Sequence, residues 1–325
     1  MNRRLVTRLA TYVGLVVVAG VLPYAVLTSA GRLLAVTILI FALLAVSWNL
    51  TIGYGGIFNF AHVGFFGLGG YATAISTANW NWNPWLGLAF GCAVGAVAGG
   101  VAFIPVIRMR GIYVALITFI FVQLCSYLVL ATPKLTGGSA GITGIPSLTL
   151  GSFDFSEFNG LGYLWFLGFA VAGFLILLDS VVRSSFGRSL IALRDNEQLA
   201  LSRGVNRVRQ QILAFIVSGA LAGIAGGLYV SYFGVADATL FSFGFVTLGL
   251  SMIFLGGLGY VWGPLLGAII VTAINQQLNS LAAWGTIIIG VGTVVVIVFL
   301  PRGLAGAFHD VWSMVARRFR RRSPS

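Results

Sequence analysis

Charge is what this sequence has least of. Only 8% of its 325 residues are charged, seven of them acidic, and Lys134 is the single lysine. Lys134 follows Pro133, so no glycine-rich loop ending in Gly-Lys-Ser/Thr exists to cradle a nucleotide's phosphates, and the chain does not hydrolyse ATP by that device. The acids Asp154, Glu157, Asp179, Asp195, Glu197, Asp237 and Asp310 fall in predicted loops or near helix ends. A proton-coupled carrier keeps an ionisable group at membrane depth, where it is costly and retained for function, so this distribution argues against proton coupling. Sodium coupling through backbone carbonyls at broken helices stays open. His62 and His309 are far apart, and no Ser/His/Asp, His-Glu-x-x-His or paired-carboxylate pattern appears, which argues against an enzyme. Cys92 and Cys125 lie within apolar runs without metal or disulfide spacing and say nothing of redox compartment.

Apolar residues fill the space that charge leaves. They make up 58% of the chain, in repeated runs of about 18 to 23 residues, the length a helix needs to cross a bilayer core. Too few polar residues remain to coat a soluble core, so the chain reads as an all-α, polytopic protein of the cell or inner membrane. Candidate spans lie at 10-29, 33-53, 60-78, 84-106, 111-131, 161-182, 210-231, 244-258, 262-282 and 285-300. The net charge of +12 is explained by topology rather than by nucleic acid. With ten crossings and both termini cytoplasmic, every basic residue except Arg32 and Lys134 falls inside. The glycine-rich span 60-78 and the short span 244-258 either both cross or both fail, because losing one would place basic clusters outside. The first run also has signal-peptide features, "RRLVTRLA" before it and "TSA" after it, but its length suits an uncleaved anchor.

Three glycine series recur every four residues: Gly87, Gly91, Gly95 and Gly99; Gly219, Gly223 and Gly227; Gly259, Gly263 and Gly267. Each predicts a smooth helix stripe that lets backbones approach closely where lipid supplies no hydrophobic drive. "NWNWNPW", with Trp80, Trp82 and Trp85, fits an interfacial anchor on the outer side. The outer segment from about 132 to 160 holds "KLTGGSAGITGIP" and reads either as a solvated connector or as a partner-binding or pore-capping loop.

One long polar insert stands apart, "SSFGRSLIALRDNEQLALSRGVNRVRQQ" at 184 to 211. Six arginines between 183 and 209 face two acids, which makes 183-209 a cytoplasmic loop. "GRSLIALR" predicts one short helix; Asp195 and Gln198 predict a capping box that starts a second, closed by Gly204. Leu190, Ile191, Leu193, Leu199 and Leu201 are expected to form a partly apolar docking surface flanked by charges. A helix pair lying on the membrane surface is the competing reading.

"FGRSLIALRDNEQLALSRGVN" resembles the ATPase-contacting loop of ABC importer permeases of the branched-chain amino acid family, in particular its LivM-like half. Further matches are "GYGGIFNFAHVGFFGLGGYATA" at 53-74, "RGIYVALITFIFVQ" at 110-123, "LTGGSAGITGIP" at 135-146, "LGGLGYVWGPLLGA" at 255-268 and "PRGLAG" at 301-306, so that the resemblance covers about 35 to 306. Asn59-Phe60 stands where many members carry Ser-Leu-Gly. The resemblance implies one permease domain over 1-325, a docking loop at 183-209 and a basic cytoplasmic tail at 301-325. It implies four kinds of neighbour: a second homologous permease, two cytoplasmic ATPases that bind the ATP and Mg, an external solute-binding protein, and the bilayer. Arg188, Leu190, Ile191, Arg194, Asp195, Glu197, Leu199 and Gly204 are the expected ATPase-docking residues. Asn59, His62, Phe65, Phe66 and Tyr71 are candidates for the translocation pathway, with His62 alternatively hydrogen-bonded to a backbone carbonyl to hold a glycine-rich bend. The expected mechanism is alternating access driven through helices 187-194 and 196-203. Sister families carry urea, short amides or sugars, and a stand-alone channel or secondary transporter is the rival class.

Overall fold

The computed structural model describes residues 14, 28–150, 153–155, 157–278, 283–299 and 303–306. The expected first span at 10-29 lies almost wholly outside these residues, as does the arginine-rich tail with His309 and Asp310. Helix α1 (Ser29–Asn49) continues as a π-helical turn through Tyr54, and α2 (His62–Ala74) does the same through Asn79. There follow α3 (Pro84–Val106), α4 (Ile112–Ala131), the single turn α5 (Pro133–Thr136) and α6 (Glu157–Arg183). The loop forms α7 (Ser185–Asp195) and α8 (Glu197–Ser202), and then come α9 (Arg207–Phe233), α10 (Phe243–Gly256), α11 (Gly263–Leu278) and α12 (Ala283–Phe299). The expected spans within the described residues match these helices to within a few residues. Five helical segments among the described residues are long and apolar enough to cross a membrane: Ser29–Tyr54, Pro84–Val106, Ile112–Ala131, Leu161–Arg183 and Arg207–Phe233. The chain is thus a predominantly helical, multi-pass membrane protein.

Side-chain caps set several helix starts, because the first backbone N–H groups of a helix have no partner within it. Thr28 accepts from Gly31 N, Asn83 from Trp85 N ahead of Pro84, Asn206 from Arg209 N, and Ser242 from Phe245 N. Gly234 ends α9 at φ +69°, a left-handed conformation that a residue without Cβ adopts freely.

Two of the three glycine series face each other. A Cβ on Gly95 would sit 2.3 Å from the Gly219 carbonyl oxygen, and one on Gly223 would sit 2.4 Å from that of Gly91. Helix α2 joins the same packing through Gly69, whose Cβ would lie 2.3 Å from the Gly223 Cα. Backbones in such contact gain dispersion and weak polar interactions that bulkier residues would forbid. The third series differs from expectation. Gly259 lies in the turn between α10 and α11 at φ +74°, so only Gly263 and Gly267 belong to a helix. Gly267 brings α11 against α10, where its Cβ would meet the Met252 oxygen at 1.8 Å.

Contacts between distant segments gather at two ends of the bundle. At one, Asn79 Nδ2 donates to the Leu135 carbonyl at 3.0 Å and Trp85 Nε1 to that of Thr149 at 2.7 Å. There β1 (Ile142–Thr143) pairs antiparallel with β4 (Val235–Ala236), and β2 (Thr149–Leu150) with β3 (Phe153–Asp154). At the other end the α7–α8 loop meets the π turn of α1, the α3–α4 turn and the α10–α11 turn. Of the two doubtful spans, 60-78 falls on α2 and its π turn, and 244-258 falls on α10, an apolar helix shorter than the five that are long enough to cross.

Candidate functional site

The α7–α8 loop is a compact hairpin of two helices. Ser184 caps α7 by accepting from Gly187 N, and Asn196 caps α8 by accepting from Leu199 N at 3.0 Å. This corrects the expected capping box: Asp195 is the last residue of α7, and the neighbouring Asn196 takes the capping role. Its amide oxygen accepts as readily as a carboxylate and carries no charge. Gly204, at φ +82°, closes α8 as expected, with Val205 N bonded back to the Ala200 carbonyl at 3.1 Å.

The expected docking residues divide into three groups. Leu190 is fully buried and Leu193 nearly so, both turned into the chain's own core, so neither contributes to an outward docking surface. At helical spacing these two sit on the inner face of α7 while Arg188 projects outward. Ile191 is half-buried. Leu199 and Leu201 are exposed at 56% and 45%, and an open groove of about 320 Å³ lies between the helices, lined by Ala192, Asp195, Asn196, Leu199, Ala200, Arg203 and Val205. Its floor is apolar and its rim carries one acid and one arginine. Ala192 and Arg203 were not singled out from the sequence; only the turn at Asn196 brings them to one concavity.

The third group ties the loop to the bundle. Glu197 is paired with Arg110 at 3.1 Å and with Arg207 at 3.5 Å, and Arg207 also donates to the Met109 carbonyl. Arg194 donates through Nη1 to the Gly53 carbonyl at 2.7 Å and pairs with Asp195 at 2.9 Å. Both Glu197 and Arg194 are thereby engaged within the chain. Arg188 reaches back to the Arg183 carbonyl, and Arg183 pairs with Asp179 at 2.7 Å.

The second candidate set lies around the bend between α1 and α2. Asn59, His62, Phe65 and Phe66 are fully buried, and Tyr71 is nearly so. His62 Nδ1 lies 3.3 Å from Asn59 Oδ1, and Asn59 Nδ2 donates to Thr51 Oγ1 at 2.9 Å. Trp48 donates through Nε1 to the Asn59 carbonyl at 2.9 Å. The histidine thus meets a side-chain amide, and the Ser47 backbone carbonyl also bonds its ring, as the alternative reading expected. Tyr71 borders an apolar groove of about 310 Å³ that it shares with Leu68, Phe90 and Leu128. Phe58, not singled out from the sequence, is 42% exposed beside this bend. It stacks on Phe254 at 5.5 Å and meets Phe60 at 6.2 Å; Phe60 in turn meets Phe119, and Phe119 meets Phe243. Among the described residues no group of three His, Cys, Asp or Glu side chains is placed to hold a metal ion.

Residues 32–299 match the family described as branched-chain amino acid transport system / permease component. The high-affinity branched-chain amino acid transport system permease protein LivM of Escherichia coli strain K12 is 30% identical over 293 residues, covering 83% of this chain and 69% of the relative. Its counterpart in Salmonella typhimurium is 29% identical over the same shares. A probable branched-chain amino acid transport permease protein LivH of Methanocaldococcus jannaschii is 27% identical over 280 residues, 81% of this chain and 88% of the relative. No solved structure matches. With most of its length inside the family match, and the α7–α8 loop and the bend between α1 and α2 both within it, the chain belongs to the branched-chain amino acid transport permease family.

Proposed function

We propose that this chain is one permease subunit of an ATP-driven importer that moves branched-chain amino acids, or a related small hydrophobic solute, into the cytoplasm by alternating access. The observation that carries the reading is the α7–α8 groove, an apolar concavity with charged rims at the end of the bundle where the basic loops gather. A lone channel or secondary carrier has no use for such a surface. A subunit driven by separate ATPases needs one.

In this reading the loop end is cytoplasmic, the described helices supply nine crossings and the 10-29 segment a tenth, with both termini inside. One domain spans 1-325. The partners are a second homologous permease, two ATPases that bind ATP and Mg, and an external solute-binding protein. The family's curated members carry the names LivM and LivH, which supports two distinct permease chains. Arg188, Ile191, Leu199 and Gly204, with Ala192 and Arg203, form the docking face. Non-helical backbone at membrane depth is tolerated only where protein covers it or water lines it. The extended segment around Phe58 therefore marks the pathway side, with Tyr71 and the Phe58, Phe60 and Phe254 cluster closest to the solute, while Asn59, His62, Phe65 and Phe66 hold the bend.

The test is reconstitution in liposomes. The chain with a partner permease, two ATPases and a binding protein should take up a branched-chain amino acid only when ATP is supplied. Robust uptake by the purified chain alone, driven by an ion gradient, would overturn the reading.

A further inference from the structure

Three segments far apart in sequence converge on one guanidinium. Arg194, on the last turn of α7, donates to the Gly53 carbonyl at 2.7 Å. Its aliphatic stem lies over Gly56, where a Cβ would come within 2.5 Å of Arg194 Cγ. Its Nη1 would lie 3.3 Å from a Cβ on Gly259. Asn49 fastens the other two segments together: its Oδ1 accepts from Gly259 N at 3.2 Å and its Nδ2 donates to the Tyr260 carbonyl at 2.9 Å. A Cβ on Gly53 would lie 2.7 Å from Gly259 N, so the backbones themselves touch.

We propose that Arg194 is the positioning residue through which movement of the α7–α8 loop is passed to the transmembrane bundle, by pulling on the π-helical end of α1 and on the α10–α11 turn together. This deepens the importer reading and rests on it. The reason lies in the packing. Glycines at 53, 56 and 259 leave no intervening side chain to absorb a displacement, and close-packed protein transmits strain instead of yielding to it. The carbonyl that Arg194 holds belongs to the π turn, where the α-helical register is already broken and Gly55 N bonds to the Leu50 carbonyl. Such turns often mark functional sites. The same turn carries Thr51, the acceptor for Asn59, so a shift at Gly53 reaches the bend beside Phe58. A guanidinium suits the task because its fork engages Asp195 and the carbonyl at once.

The experiment uses the assembled complex of this chain, its partner permease, two ATPases and the binding protein in liposomes, with branched-chain amino acid uptake and ATP hydrolysis read in parallel. Arg194→Gln should retain the ATPases on co-purification yet lower solute moved per ATP about tenfold. Arg194→Lys, which keeps a charged donor but not the fork, should fall between Arg194→Gln and the natural chain, and it serves as the test if Arg194→Gln fails to accumulate. Unchanged solute per ATP in either variant overturns the proposal. So does loss of ATPase co-purification, which would return Arg194 to the docking face. Failure of the natural chain to retain the ATPases would instead sink the importer reading itself.

Discussion

The indole of Trp48 lies flat on the imidazole of His62, with ring centroids 5.3 Å apart and 6° between the planes, and both residues are fully buried. Gly249 of α10 makes room for the indole, since a Cβ there would reach it at 2.5 Å. Trp48→Ala should therefore cost about 3–5 kcal/mol, the range for truncating a large buried aromatic side chain, seen as a lower unfolding temperature of the purified complex. His62→Phe keeps a flat ring on the indole and should leave solute preference unchanged. Altered preference at unchanged thermal stability would show that His62 touches the solute.

The glycine contacts between α3 and α9 make a prediction with an internal control. Gly95→Ala forces apart two backbones and should destabilise by about 1–3 kcal/mol, as overpacking does. Gly173→Ala meets nothing within 4 Å in α6 and should be neutral or stabilise by up to about 1 kcal/mol through helix propensity. Thermal unfolding of the two variants side by side decides it, and equal loss in both would remove the stripe from the account.

Leucines on the loop should behave oppositely according to where they point. Leu199→Asp alters an exposed position and should abolish ATPase co-purification while leaving the permease folded. Leu190→Ala opens a cavity and should cost about 2–5 kcal/mol of stability, with the docking face intact. Retained co-purification in Leu199→Asp would mean that the groove faces lipid headgroups instead of a protein.

Single cysteines at Ser139 and Ser202, both exposed, report on the two ends of the bundle once Cys92 and Cys125 are replaced. An impermeant thiol reagent added outside intact cells should label the first and spare the second. Labelling of both from one side would refute the ten-span arrangement.

Much of this was legible in one dimension. The helix ends at 84, 106 and 131 were readable because an apolar run bounded by Asn83-Pro84, by Arg108 or by Thr132-Pro133 admits few other endings. The Gly87 and Gly219 series were readable because period four on a helix makes a face. The bond from Arg194 to Gly53 was not, since it spans 141 residues and depends on where α1 loosens into a π turn. Nor was the inward turn of Leu190, because two short helices offer several ways to divide five leucine and isoleucine side chains between core and surface. The Asp195 capping box failed for a related reason: two adjacent residues both cap well, and the turn angle chooses between them.

The pairing of α3 with α9 also sets a clock. Gly95 cannot meet Gly219 and Gly223 until about 130 further residues have been made, roughly 6 to 26 s at about 5–20 residues per second. Throughout that interval the smooth faces of α2 and α3 stand open in the bilayer. A chain cut short before α9 therefore ends as a set of spans without their central partner, fit for the membrane's proteases and for little else.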